Sequence, residues 1–246
     1  NRIAYLVTRR FYKVPWLFHQ IKLAGKENKY TIDERYKKVH DVCHRVNKYA
    51  HVNITCTGLE NLPKENGYIL TPNHQGLFDV LLICDTHERP TSFVIRKDLE
   101  DVILLKQVIK ALDAKALDRD DPRQAMKIIK EMTEGIKQGR NYIIFPEGTR
   151  TGWDGIVKLN RGAVSIGLRS AKVITPITIK MNPLSLKKGH PWYKIPDRQI
   201  HYELSVGDDI DPKEWIESQS IPMASRRLTK YLEDYFNSQT SQKGSQ

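Results

Sequence analysis

Tyr68-Ile69-Leu70-Thr71-Pro72-Asn73-His74-Gln75-Gly76-Leu77-Phe78-Asp79 is the stretch from which the fold can be read. Its short apolar run meets a proline, an asparagine and a glycine, and a second apolar run, Val80–Ile83, follows Asp79. That order predicts a buried strand, a turn and the start of a packed helix. The turn places His74 where a strand empties into a cleft, and the helix entry suits the Asp79 carboxylate, which the exposed N–H groups and the dipole favour. No helix brings positions five apart together, so the two side chains meet only if the turn folds back. Were they to meet, the carboxylate would orient the imidazole and make it more basic, as a general base requires. Taken alone, a histidine and an aspartate read more readily as a core residue and a helix cap.

Further along, Tyr142-Ile143-Ile144-Phe145-Pro146-Glu147-Gly148-Thr149-Arg150 repeats the pattern of a buried strand ending in a polar loop. Gly148 permits a ligand to approach the backbone, and the Arg150 guanidinium can take a phosphate through two parallel hydrogen bonds. Thr91–Lys97 and Leu112–Arg119 also end in cations. Outward from the first stretch, strands are expected near 52–57, 67–72, 91–96, 113–118, 141–146 and 173–180. A late strand over 199–206 is expected at an edge, and helices near 79–86, 98–111, 122–138, 160–170 and 222–237. This alternation predicts an α/β fold: a largely parallel, mixed sheet with helices on both faces. Ligands of such sheets bind beyond the carboxyl ends of the strands. His74, Lys97, Arg119 and Glu147–Arg150 all fall at or after such ends, a convergence of a base with cations that suits an anionic substrate bearing a hydroxyl.

The 246 residues suffice for one α/β domain over 52–237 with an N-terminal appendage over 1–51 and a polar, disordered tail over 238–246. Asn1–Gly25 holds no acidic residue and several basic ones, with Ile3, Leu6, Val7, Phe11, Leu17 and Ile21 on one broad face. Tyr5, Tyr12 and Trp16 flank that face, Arg10 intrudes on it, and Pro15 predicts a kink. Such a helix suits a lipid interface, although the apolar face alone suits the protein's own core equally well. Thr31-Ile32-Asp33-Glu34 reads as a capping box opening a second helix to about His51. Residues 1–51 thus read as a two-helix membrane-associating motif.

A net charge of +11 favours an anionic membrane or an acidic partner. No zinc-finger, RNA-binding aromatic or helix-turn-helix pattern points to nucleic acid. Mean hydropathy is −0.53, and no apolar run nears the roughly eighteen residues of a membrane span. Neither a cleavable signal peptide nor a transit peptide is evident. These features place the protein on the cytoplasmic face of a membrane, held by its N-terminal helices. Cys43, Cys56 and Cys84 fit reduced, partly buried thiols, with Cys84 as filler in an apolar helix. No metal-ligand cluster and no G-x-S-x-G elbow is present, so neither a metal site nor a serine hydrolase is expected.

N-H-Q-G-L-F-D and F-P-E-G-T-R together resemble the two signature blocks of the glycerolipid acyltransferase family, an H-x-x-x-x-D motif and a substrate-binding F-P-E-G-T-R motif. The resemblance covers roughly residues 52–180. It implies transfer of a fatty acyl group from an acyl thioester, acyl-CoA or acyl-acyl carrier protein, to the sn-2 hydroxyl of 1-acyl-glycerol-3-phosphate (lysophosphatidic acid). No other cofactor is implied. His74 would be the base and Asp79 its orienter. Arg150 would hold the phosphate, helped by Arg119 and Lys97, with Glu147, Gly148 and Thr149 completing that loop. Glu147 would position neighbouring groups or a substrate hydroxyl rather than act as a second base. Arg119 ends L-D-A-K-A-L-D-R, which lacks the glycine usual in the family's second block. Val173-Ile174-Thr175-Pro176-Ile177 resembles the fourth block, and Lys158 with Arg161-Gly162 a stretch that often follows the third. Glycerol-3-phosphate or another lysolipid as acceptor, and a non-catalytic module binding anionic lipid, are the alternatives.

Overall fold

A computed structural model describes residues 14–25, 29–50, 52–76, 78–100, 103–118, 120–185, 187, 196–217 and 219–240. Two helices come first, α1 over Val14–Ala24 and α2 over Ile32–Tyr49. The capping box expected at Thr31 opens α2, with the hydroxyl accepting from Glu34 N and the Glu34 carboxylate accepting from Thr31 N. The remainder alternates: β1 Asn53–Thr57, β2 Ile69–Pro72, α3 Asp79–Thr86, β3 Ser92–Arg96, α4 Ile103–Ala111, β4 Lys115–Leu117, α5 Pro122–Lys137, β5 Tyr142–Ile143, α6 Arg161–Ser170, β6 Ile174–Asn182, β7 His201–Val206, α7 Pro212–Ile216 and α8 Ile221–Thr240.

Seven strands form one sheet in the order β1-β7-β6-β2-β5-β3-β4. From β6 across to β4 every neighbouring pair is parallel. β7 runs antiparallel to β6, and β1 lies parallel to β7. The late strand is therefore not an edge, because β1 caps it. The chain leaves β2 through α3 towards β3 on one side, but leaves β5 through α6 towards β6 on the other. This reversal opens a crevice at the carboxyl ends of β2 and β5, the place where open α/β sheets bind ligands.

Alternation along the central strands divides the core between the two faces. Tyr68, Leu70 and Ile143 point to the side covered by Tyr36, Val39 and Cys43 of α2 and by Leu82, Ile83 and Cys84 of α3. Ile69 and Tyr142 point the other way, against Met132 and Ile136 of α5 and Ala163 and Ile166 of α6. A third cluster seats α8 on α6 and β6 through Val164, Leu168, Ile174, Leu228 and Phe236. Each fully buried aliphatic contributes about 1.5–3 kcal/mol, so the centre of the sheet is the most strongly held part of the molecule. Gly167 lets α6 approach β6, since a Cβ there would lie 2.5 Å from Ile174 Cδ1.

Several boundaries shift for local reasons. β5 is shorter than the apolar run because Phe145 and Pro146 turn away into the site loop, although Ile144 N still donates to Leu70 O at 3.0 Å. Lys97–Leu99 form a 3-10 turn, so α4 begins later than expected. α8 continues to Thr240, and of the tail expected from 238 only 241–246 lie outside the described residues. The part before Val14 of the helix expected at a lipid interface also lies outside them. At the other end of α1, Ala24 joins the main core with α2, and Gly25 packs closely on Gln107 of α4. No helix among the described residues is long and apolar enough to cross a membrane.

Candidate active site

β2 ends in a polar turn that the neighbouring strand recognises. Asn73 behaves as one more ladder residue, its side chain donating to Ile179 O at 3.0 Å and accepting from Ile179 N at 2.6 Å. With Asn73 fixed in this way, the next side chain, His74, projects into the crevice. The backbone then folds back so that the Asp79 carboxylate accepts from Gly76 N at 2.9 Å and from His74 Nδ1 at 2.8 Å, both on Oδ2. Asp79 is 0% exposed and His74 20%. A carboxylate on Nδ1 selects the tautomer with its proton there and leaves the Nε2 lone pair for a substrate. The Phe145 ring lies against the imidazole at 4.2 Å between centroids, tilted by 31°.

The loop after β5 grips the same turn from the other side. Glu147 Oε1 accepts from His74 N at 2.7 Å, and Thr151 N donates to His74 O at 2.6 Å. The Thr151 hydroxyl lies 2.9 Å from both His74 O and Glu147 Oε1. Both peptide groups of the histidine are thus held by one loop, and Glu147 fixes the backbone of His74 rather than reaching its ring. Burial pushes the Glu147 carboxyl up to about 7, against the opposing pull of its hydrogen bonds from His74 and Thr151. Gly148 closes the loop in the left-handed region (φ 64°), donating to Phe145 O at 3.0 Å. Asn160 fastens the far end through Glu147 O and Pro146 O, each at 2.8 Å.

Of the residues singled out in the sequence, His74, Asp79 and Glu147 are drawn into one bonded unit. Gly148, Thr149 and Arg150 share its loop, with Thr149 exposed and Arg150 half-buried. Lys97 follows β3, two strands from His74, and pairs with Asp118 after β4 at 3.4 Å. Arg119 lies outside the described residues. Pro176 sits buried within β6, in register with Thr71. Lys158 and Arg161 are exposed, the latter as the first residue of α6. Cys84 is buried, and its thiol is pushed up by Cys43 and by burial, which makes it an inert filler.

Sequence reasoning missed Thr151 and Lys187. Thr151 directly follows the recognised motif and could have been included with it. Lys187 carries no sequence signal: it is 1% exposed, a rare state for a lysine.

An imidazole backed by a buried carboxylate, at the reversal point of a mostly parallel sheet, suits proton abstraction from a hydroxyl. Residues 53–180 match the model of the acyltransferase family, and the chain belongs to that family. It is 27% identical to a probable 1-acyl-sn-glycerol-3-phosphate acyltransferase of Mycoplasma pneumoniae over 202 residues, 78% of this chain and 75% of that protein. It is 30% identical to the 1-acyl-sn-glycerol-3-phosphate acyltransferase of Pseudomonas aeruginosa over 148 residues, 60% of this chain and only 56% of that protein. Among solved structures, the 1-acyl-sn-glycerophosphate acyltransferase PlsC of Thermotoga maritima superposes with a TM-score of 0.74 at 18% identity, covering 100% of this chain and 98% of that one. At that identity the likeness is one of fold.

Proposed function

We propose that the protein transfers a fatty acyl group from a thioester to the sn-2 hydroxyl of 1-acyl-sn-glycerol-3-phosphate, giving phosphatidic acid for phospholipid synthesis. The observation that carries this reading is the 2.8 Å contact between His74 Nδ1 and the buried Asp79 carboxylate. The acyltransferase relatives named for that acceptor support it. Nε2 of His74 takes the hydroxyl proton as the oxygen attacks the thioester carbonyl. Collapse of the tetrahedral adduct breaks the C–S bond, and the imidazolium returns its proton to the departing thiolate. A thioester is already activated, so no acyl-enzyme is needed. General-base assistance of this kind is worth about 10²–10⁴-fold in rate.

In this reading Arg150 and Arg119 bind the phosphate, with Lys97 at the outer end of the cleft. Gly148 and Thr149 shape the loop. The net charge of +11 supports a position on an anionic membrane at the cytoplasmic face and suits either acidic donor, acyl-CoA or acyl-acyl carrier protein. The test offers the purified protein lysophosphatidic acid, glycerol-3-phosphate and lysophosphatidylcholine, each with both donors, while free thiol is followed. Thiol release dependent on lysophosphatidic acid, with phosphatidic acid as product, is expected. Turnover only with another acceptor, or no thiol release at all, would overturn the reading.

A further inference from the structure

Lys187 lies beyond the part of the chain matched to the family, in the segment between β6 and β7. Its ammonium has three protons and finds three acceptors: Gln75 Oε1 at 2.9 Å, Thr151 O at 3.2 Å and Gly152 O at 3.3 Å. Gln75 adjoins His74 in the turn after β2, while Thr151 and Gly152 close the loop after β5. One buried cation therefore ties together the two strand ends that build the site. The charged groups that act on it lie on α3 and on the loop after β5: Asp79, Glu147 and Asp154. Burial pulls the lysine down from its ordinary value, and these three carboxyls oppose that pull. Asp79 and Glu147 are themselves 0% and 5% exposed. Buried carboxyls need a compensating charge, and Lys187 is placed to supply it.

We propose that Lys187 is a positioning residue for acyl transfer, clamping the His74 turn against the Glu147 loop and balancing the buried charge behind the imidazole. It does not touch the reacting atoms. Its effect falls on how the imidazole is held and on the charge the imidazole feels when it accepts a proton. The inference rests on the proposed acyl transfer with His74 as base.

The experiment compares Lys187→Met and Lys187→Ala with the wild-type full chain, following thiol release from an acyl thioester in the presence of lysophosphatidic acid. Methionine fills the lysine's volume without its charge, so Lys187→Met is expected to fold but to melt below wild type, because three acceptors lose their donor. Its kcat should fall about 100-fold, as expected for a slightly misplaced catalytic group, with KM for both substrates changed less than about threefold. The acid limb of its pH–rate profile should move up, because loss of the Lys187 charge favours the protonated form of the Glu147 carboxyl it faces. Propylammonium added to Lys187→Ala should restore activity at least about tenfold, while 1-propanol at the same concentration should not, since only the former replaces the charge.

A Lys187→Met protein with kcat within about threefold of wild type overturns the proposal. So does a fall in kcat with an unmoved acid limb and no rescue by the amine, which would mean a merely structural role. Should Lys187→Ala fail to fold, the methionine variant decides through its kcat and acid limb. A wild-type protein that releases no thiol would instead strike at the proposed function.

Discussion

Among the described residues, two histidine–aspartate pairs lie within hydrogen-bonding distance, and only one of them is built like a site. His74 Nδ1 lies 2.8 Å from Asp79, and His44 Nδ1 lies 2.9 Å from Asp85. The second pair joins α2 to α3, its imidazole is 64% exposed, and Asp85 spends its other oxygen on Asn47 Nδ2 at 2.9 Å. It pins one helix to another, with its imidazole in water and its carboxylate half-buried on the seam. In the first pair the carboxylate is sealed from solvent, the histidine's own peptide groups are gripped by a second loop, and the ring opens on the crevice between β2 and β5. Distance alone does not make a base. Burial of the partner, a fixed backbone and a place at the carboxyl ends of parallel strands do.

The sharpest way to break this contrast is to neutralise each aspartate. Asp79→Asn removes the charge that stabilises the imidazolium, and acyl transfer should fall about 10²–10⁴-fold. Asp85→Asn should leave turnover within about twofold of wild type, because Asp85 bonds His44 and Asn47 on the seam of α2 and α3 and not the His74 turn. Thiol-release rates of the two variants check this directly, and equal losses would erase the distinction.

Next comes the carboxyl that grips the first pair and has no counterpart at the second. Unfolded, Glu147 loses its proton near 4.5; folded, near 7. Between these values the folded state holds more protons, so stability should fall as pH rises from 4.5 to 7 and level off above. The shift corresponds to a change on the order of 3 kcal/mol. Glu147→Gln should flatten that slope in urea titrations, while stability at the acid end stays close to wild type.

A smaller effect separates the two glycines of the site. Gly148 has φ 64°, so Gly148→Ala should cost about 1–2 kcal/mol of stability. Gly76 has no such φ, and a Cβ there would meet Met181, Ser185 and Tyr202 at 3.4–3.5 Å, which is ordinary contact. Gly76→Ala should therefore change stability by less than about 0.5 kcal/mol. Thermal melts of the two variants should differ accordingly. Smallest of all, His44→Ala should cost no more than a few tenths of a kcal/mol in denaturant unfolding, since its exposed pair is screened.

Much of this was legible in the chain. The run Tyr68–Leu70 predicted a buried strand, and β2 is flanked on both sides by parallel neighbours and is buried along its whole length. The turn after it had to fold back for His74 to meet Asp79, and the Gly76 N–H directed at Asp79 shows how it does so. Long-range pairing was less legible. Nothing local in Asn53–Thr57 says that it lies outside β7, because that register is set by residues far along the chain. That Glu147 would position a neighbouring group was legible, but which group was not: a backbone N–H across the crevice is brought to it only by the pairing of distant strands. Lys187 was hidden twice over, by lying in a segment without a motif and by being a residue type that seldom leaves the surface. The pair His44–Asp85 had no periodic signal either, since helix packing alone brings its members together.

The most direct test of the central claim replaces each histidine in turn, and follows the thiol released when lysophosphatidic acid meets an acyl thioester. His74→Ala should retain the wild-type melting curve and lose at least about 10³-fold in kcat, while His44→Ala should turn over within about twofold of wild type. A folded His74→Ala protein that keeps wild-type turnover would contradict the assignment of the base, and with it the account of the site.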